Sequence, residues 1–283
     1  MKLLVTGASG YVGGFILADA ARGGDEVISL SRSKPKNGLA WHPFDLGAPL
    51  KRLPAADALI HCAFDHVREK YRGGEGEDPA GFMARNYDGS LALFAAAQRA
   101  GVKRIVFLSS RAVYDGADEG AVLTENMPLA PTSLYGQLKY KLEQALASLE
   151  GLTTTSLRAT GVYGAARHGA YHKWAALLAR FEAGEPISAR CGTEVHGADL
   201  AAAVRLILTA PQEAIDKQVF NVSDILLDRR NLLARYAALK GLNLPLPALS
   251  KARPNEMDCS SLRALGWTPR GAAGLGAFLE SLD

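Results

Sequence analysis

Cysteine is scarce in this chain: Cys62, Cys191 and Cys259 are the only three in 283 residues, and they lie far apart. An odd number with no C-x-x-C spacing excludes a disulfide framework and a zinc ribbon, and reads as three reduced thiols. No uncharged apolar run approaches the roughly 20 residues a membrane span needs. No basic segment with an apolar one behind it precedes the first apolar run, so a soluble, cytoplasmic protein without a membrane partner is expected. Blocks of one charge sign are also missing. The 32 Lys and Arg and 29 Asp and Glu are interspersed and leave a net charge of +3, which is no footprint for nucleic acid. The one exception is the short basic stretch Arg32-Ser33-Lys34-Pro35-Lys36. Internal repeats and low-complexity tracts are absent too.

What is present is an ordinary globular balance, 48% hydrophobic and 22% charged, on a chain long enough for a sizeable core. Short apolar runs at 2–6, 26–30, 58–62, 104–109 and 154–158 read as strands. Helical patterns fall between them, at 11–22, 82–100 and 131–149. Alternation of this kind implies βαβ units and a mostly parallel sheet with helices on both faces. After Gly164 the rhythm breaks into shorter helices at 170–183, 199–208, 231–239, 262–265 and 272–282. The expected fold is α/β, a Rossmann-type doubly wound parallel sheet with a smaller C-terminal substrate lobe. Residues 1–165 form the nucleotide-binding domain in this reading, and residues 166–283 a lobe interwoven with the sheet. Residues 65–81, rich in glycine and charge, read as a mobile surface loop.

The stretch Thr6-Gly7-Ala8-Ser9-Gly10-Tyr11-Val12-Gly13 lies between the first strand and the first helix. Gly7 permits the tight turn. Gly10 lets the backbone approach a pyrophosphate, and Gly13 lets the helix lie close to the strand. Free N–H groups at the helix start then favour a diphosphate. At the end of the second strand, where an acid would bind the ribose hydroxyls of NAD, stand Ser31 and Arg32. A guanidinium there can hold a 2′-phosphate through two hydrogen bonds, so the lean is to NADP over NAD. The alternative is a solvated Arg32 stacking on the adenine, which suits NAD equally.

Tyr135 and Lys139 are four apart inside a helical pattern and share one face. A phenol of pKa about 10 is a poor base at neutral pH, and a nearby ammonium lowers it. Such a pair can exchange a proton with a substrate hydroxyl while hydride moves to or from nicotinamide. Ser109 and Ser110 follow the apolar run at 104–109, at the carboxyl end of a parallel strand where ligands sit. A serine there can stabilise charge on the substrate oxygen.

The glycine loop, the strand-end serine and Tyr-x-x-x-Lys in this order resemble the extended short-chain dehydrogenase/reductases, the NAD(P)-dependent epimerase/dehydratase group. The likeness extends to Asp45-Leu46, His61-Cys62-Ala63, Asn86-Tyr87-Asp88-Gly89-Ser90, Arg158 through Gly164, His196 through Ala201 and Leu265 through Pro269. It implies Ser110, Tyr135 and Lys139 as catalytic residues. It implies a cofactor site built from Gly7, Ser9, Gly10, Tyr11, Val12, Gly13, Arg32, Asp45, Leu46, Cys62, Ala63, Phe64, Asn86, Ser109, Tyr135, Lys139 and Val162. It also implies a homodimer through the helices at 82–100 and 131–149.

Departures narrow the chemistry. The Asp-Glu pair that dehydratases of this group use after the catalytic hydroxyl is replaced by Arg111-Ala112, which disfavours dehydration. Gly161 stands where many sugar-nucleotide enzymes carry Asn. The expected Arg before the His196 segment gives way to Cys191-Gly192-Thr193-Glu194, with Arg190 the nearest cation. A smaller sugar or polyol-like carbonyl compound fits at least as well as a diphosphate-linked one. His66, His168 and His172 border the loops, but His168 and His172 lack a third ligand and have Arg167 and Lys173 beside them, so no metal is expected. Trp267 reads as a packing residue of the C-terminal lobe. The expected activity is NAD(P)-dependent interconversion of a secondary alcohol and a ketone on a small sugar-like substrate. The alternatives are an epimerase with tightly retained NAD and a non-catalytic nucleotide-sensing subunit.

Overall fold

The computed structural model describes residues 1–36, 38–50, 52–67, 73–167 and 169–282. Its strands are β1 (Lys2–Thr6), β2 (Glu26–Ser31), β3 (Ala40–Pro43), β4 (Ala58–His61), β5 (Arg104–Ser110), β6 (Val122–Leu123), β7 (Thr153–Ala159), β8 (Gly161–Tyr163), β9 (Cys191–His196), β10 (Gln218–Val222), β11 (Ile225–Asp228) and β12 (Glu256–Met257). Its helices are α1 (Tyr11–Arg22), α2 (Pro79–Met83), α3 (Gly89–Arg99), α4 (Leu134–Ala147), α5 (Ala175–Glu182), α6 (Gly197–Thr209), α7 (Gln212–Ile215), α8 (Arg229–Lys240), α9 (Ser260–Ala264) and α10 (Gly271–Glu280).

Seven parallel strands form the central sheet in the order β10-β7-β5-β4-β1-β2-β3. Alternate residues of each strand point to opposite faces, and both faces are apolar. Leu3, Val5, Ile60, Val106 and Leu157 pack with Phe15 and Ile16 of α1 and with Val204 and Ile207 of α6. Leu4, Leu59, Ile105 and Phe107 pack on the other face with Leu93 and Phe94 of α3 and Leu138 and Leu142 of α4. The chain turns to opposite sides after β1 and after β4, so the carboxyl ends of these neighbours open a crevice, the usual ligand position in such sheets.

A second sheet, β11-β9-β8, carries the lobe. Its core gathers Trp174, Leu178 and Phe181 with Leu232, Leu233 and Tyr236 of α8 and with Leu275 and Phe278 of α10. Helix α5 starts at Ala175, five residues later than the pattern at 170–183 implies. Two elements from beyond residue 165, α6 and β10, belong to the central layer, and β10 is its seventh strand. Trp267 also packs there rather than in the lobe core, and its indole N–H donates to the Asp199 carbonyl at 2.9 Å. The helix expected at 82–100 is interrupted by a π-helical turn, Ala84–Asp88. Within 65–81, residues 68–72 lie outside the described residues. The described flanks are tied down, because Arg85 bonds both Asp65 and Asp78.

Candidate functional site

Gly7 is left-handed, with φ +67°, and a Cβ there would lie 2.9 Å from the Ala63 nitrogen. Its bareness lets the turn after β1 touch the turn after β4. A Cβ on Gly13 would stand 2.1 Å from the Gly7 carbonyl oxygen, so helix and loop meet only through glycine. Gly10 caps α1 without any side-chain hydrogen bond. Ser9 and Gly10 are exposed, and Tyr11 and Val12 are half-buried. The Tyr11 hydroxyl donates to the Gly164 carbonyl at 2.6 Å, which joins the loop to the lobe entrance. A bare, uncapped helix start beside two strand ends is a cradle that side chains would fill, and it fits the diphosphate of a dinucleotide.

The floor of the cradle is fixed by Thr6. Its Oγ1 accepts from the N–H groups of Cys62 and Ala63, each at 3.0 Å, and contacts His61 Nδ1 at 2.8 Å. His61 Nε2 meets Ser90 Oγ at 2.9 Å, and Ser90 itself donates to the Asn86 carbonyl. This network assigns the proton to Nε2. Burial, with help from the Lys139 charge, lowers the pKa of His61 to about 3, so the ring is neutral. Asn86 is buried in the π-helical turn and grips the backbone of Asp65 from both sides, with Asp65 N–H to Oδ1 and Nδ2 to Asp65 O at 2.8 Å each. Its side chain therefore positions the segment Cys62-Ala63-Phe64. Burial pushes the Cys62 thiol up to about 12, which leaves it an unreactive neutral wall.

Helix α4 starts where Ser133 Oγ accepts from the Gly136 N–H at 3.1 Å and donates to Asp115 at 2.7 Å. A Cβ on Gly136 would lie 2.3 Å from the Ala112 carbonyl oxygen. The helix start is thus pressed against the 3₁₀ turn Arg111–Tyr114, and Ser110 caps that turn with its Oγ accepting from the Ala112 N–H at 3.1 Å. This contact holds the start of α4, which carries Tyr135, against the turn that Ser110 caps, and both residues are half-buried. Phe64 tilts over the Tyr135 ring at 4.9 Å between centroids. Lys139 is buried one turn further on. Its Nζ donates to the Leu108 carbonyl at 2.7 Å and sits 4.6 Å from the Phe107 ring and 5.7 Å from the Tyr135 ring. Burial lowers its pKa to about 8, with Cys62 and Glu143 acting in the opposite direction.

Ser109 points away from this opening. It is buried and donates to Glu143 Oε1. Glu143 also takes Arg158 through Nε at 3.0 Å and Nη2 at 2.7 Å, and Arg158 Nη1 reaches the Tyr114 hydroxyl at 2.7 Å. The segment from Arg158 to Gly164 thus begins with a structural cation rather than a ligand group. Glu143 is one further turn along the Tyr135/Lys139 face, a spacing legible in the sequence.

The remaining expected positions are dispersed. Arg32 is exposed just past β2, and Ser31 Oγ donates to the Ser33 carbonyl at 2.9 Å. Asp45 is exposed and accepts from the Gly47 N–H, while Leu46 is buried in the core. Val162 is half-buried on β8 and packs against the α1/α6 core. His66 stacks on Phe64 at 5.0 Å. His172 meets Phe278 edge-on at 5.4 Å, and His168 lies outside the described residues. Among the described residues, no three His, Cys, Asp or Glu side chains converge as a metal site, and no helix is long and apolar enough to cross a membrane.

The model of the NAD dependent epimerase/dehydratase family matches residues 3–223. The UDP-glucose 4-epimerase of Bacillus subtilis (strain 168) is 30% identical over 217 residues, 70% of this chain and 57% of that protein. The UDP-glucose 4-epimerase of Rhizobium leguminosarum bv. trifolii is 29% identical over 209 residues, 70% of this chain and 64% of that protein. The matches thus span less than two thirds of these relatives' own length. Among solved structures, MoeE5 in complex with UDP-glucose and NAD superposes with a TM-score of 0.80 at 26% identity, over 99% of this chain and 98% of that one. The UDP-glucose 4-epimerase of Thermotoga maritima shares the fold, with a TM-score of 0.78 at 23% identity over 99% and 98% of the two chains.

Proposed function

Because this chain belongs to the NAD-dependent epimerase/dehydratase family, we propose that it moves hydride between a nicotinamide dinucleotide and a secondary alcohol or ketone on a sugar-type substrate. The observation that supports the proposal is the Gly136–Ala112 contact, which holds the start of α4 against the turn that Ser110 caps, with Lys139 bonded to the Leu108 carbonyl. Gly7, Ser9, Gly10, Tyr11, Val12 and Gly13 would hold the diphosphate, and the turn Cys62-Ala63-Phe64 its far wall. Nicotinamide bound there supplies the hydride acceptor or donor. Ser110 donates a hydrogen bond to the substrate oxygen. Tyr135 takes or returns the hydroxyl proton, and the Lys139 ammonium favours its phenolate. The nucleotide would lie on the central sheet, and the interwoven lobe built on β8, β9 and β11 would hold the substrate. A cytoplasmic homodimer through α3 and α4 is part of the same reading.

The relatives' names favour a second outcome of the same chemistry, an epimerase that oxidises, turns and re-reduces its sugar. The neighbouring MoeE5 structure carries NAD, and NAD is the cofactor proposed here. The case for NADP rests on Ser31 in place of an acid and on exposed Arg32. The test is Tyr135→Phe, followed by nicotinamide absorbance with a panel of sugars. Turnover is expected to fall at least about 100-fold with NADH binding intact, and retained turnover refutes the assignment. Nucleotide released on denaturing the wild type separates the two outcomes. Stoichiometric NAD favours the epimerase, and an empty site with exchangeable NAD favours the dehydrogenase. Tight nucleotide binding with no turnover on any sugar favours the non-catalytic subunit.

A further inference from the structure

Two consecutive turns of α4 bond to two consecutive residues of β5. Lys139 Nζ donates to the Leu108 carbonyl at 2.7 Å, and the Ser109 hydroxyl donates to Glu143 Oε1. Residues four apart on a helix are neighbours, so the ammonium and the carboxylate are carried side by side against one strand. The carboxylate is fixed from a second strand as well. Arg158 of β7 donates to Oε1 from Nε at 3.0 Å and to Oε2 from Nη2 at 2.7 Å. Only 3% of the Glu143 side chain and 4% of the Arg158 side chain are exposed, and charges so enclosed act on their neighbours with little screening.

We infer that Glu143 is a positioning residue of the hydride-transfer site: its carboxylate keeps Lys139 protonated and in place, and does not itself touch substrate or cofactor. The inference rests on the reading of Tyr135 and Lys139 given above. The surroundings of the ammonium leave this task to Glu143. From β4 and the turn after it come neutral His61, the ring of Phe64 and Cys62, whose thiol burial pushes up to about 12. From β5 come the Phe107 ring and the Leu108 carbonyl, neither of them ionisable. From α4 itself come Tyr135 and Glu143. Burial works against the ammonium, and Cys62 and Glu143 oppose burial. Of these two, only the carboxylate carries charge at neutral pH. Arg158, bound to the same carboxylate, offsets part of its field. The bond to Ser109 supplies the mechanical part, because it holds the neighbouring Leu108 carbonyl where the ammonium meets it.

The test reads the proton on Lys139 directly, by NMR titration of the lysine ε-methylene signal that is missing from Lys139→Met. Glu143→Gln keeps the shape and an acceptor for Ser109 but removes the charge. Its Lys139 midpoint is expected to fall from about 8 by at least about one pH unit. Arg158→Met breaks the same ion pair from the other side and leaves the carboxylate, so its midpoint is expected to stay at or above that of the wild type. A merely structural pair would shift both variants alike, because both lose the same contact. Turnover needs the ammonium, so the alkaline limb of kcat is expected to move to lower pH in Glu143→Gln by a similar amount and not in Arg158→Met. If Glu143→Gln does not fold, Glu143→Gln combined with Arg158→Met removes both charges together and is expected to lower the midpoint in the same direction. An unchanged midpoint in the folded Glu143→Gln or double variant overturns the inference, as does an equal shift in Glu143→Gln and Arg158→Met. The titration needs no turnover. A lowered midpoint in a protein that transfers no hydride therefore upholds the action of Glu143 on Lys139 and counts against the reading of the site alone.

Discussion

Replacing Lys139 by Met should make the protein more stable and inactive at once. Lys139 is buried among Phe107, Phe64 and Tyr135, and burial lowers its pKa from 10.5 to about 8. At about 1.4 kcal/mol for each pKa unit, holding the ammonium in the fold at pH 7 costs about 3 kcal/mol. Met removes this cost and has nearly the same length and flexibility. It also strands the Leu108 carbonyl, which loses its 2.7 Å donor, at about 1–2 kcal/mol. The balance is a gain of about 1–2 kcal/mol, or a rise in Tm of about 2–5 °C. The pH dependence has a definite sign. Between about pH 8 and 10.5 the unfolded chain still holds this proton and the folded one has released it. Wild-type stability therefore rises through that window by about 3 kcal/mol relative to the variant, so the gap closes and then reverses. Urea unfolding of both proteins at pH 7 and at several values up to pH 10 measures it, and the difference cancels other titrating groups. A Lys139→Met protein less stable than wild type at pH 7, or a gap that stays constant with pH, would refute the reasoning.

Glu143→Ala leaves Arg158 buried with its charge uncompensated and Ser109 without an acceptor. Urea denaturation is expected to show a loss of about 3–5 kcal/mol, and a loss below about 1 kcal/mol would mean that the network is not holding β5, β7 and α4 together. His61 is neutral in the fold, with its pKa lowered by burial from 6.5 to about 3. In that interval the unfolded chain binds a proton that the folded one refuses, so stability falls as pH drops from about 6.5 towards 3. Relative to His61→Gln, the wild type should lose up to about 4 kcal/mol over that range, and parallel acid denaturation curves would contradict this.

The glycine loop and α1 were legible because they are local. A strand, three spaced glycines and an apolar helix face occur within twenty-two residues, and α1 has the bounds that its pattern predicts. Tyr135 and Lys139 were legible because four residues make one helical turn. The distinction between Ser109 and Ser110 was equally available, since neighbours on a strand face opposite ways. One bonds Glu143 and the other caps the turn at the opening. What stayed hidden is non-local. The Glu143–Arg158 pair joins α4 to β7, and the Lys173–Glu194 pair joins a loop to β9. The membership of β10 in the central sheet depends on a pairing with β7 across the whole lobe. The π-helical turn at Asn86 breaks a pattern that reads as one continuous helix. Charge and periodicity along the chain do not report which distant partner a buried group finds.

The position of β10 has a consequence for synthesis. Strand β7 ends at Ala159, and its outer neighbour begins only at Gln218, about 60 residues later, several seconds at ordinary translation rates. Throughout that interval the growing chain displays the backbone of Thr153–Ala159 as an open edge, the kind of surface on which another chain can pair. Only β8, α5 and β9 of the lobe are made during this exposed period, and β11, α8 and α10 follow the strand that seals the sheet. A ribosome stalled within residues 160–217 would carry a nascent chain with most of its nucleotide-binding half formed and one sticky margin, a natural client for a chaperone that recognises unpaired strands.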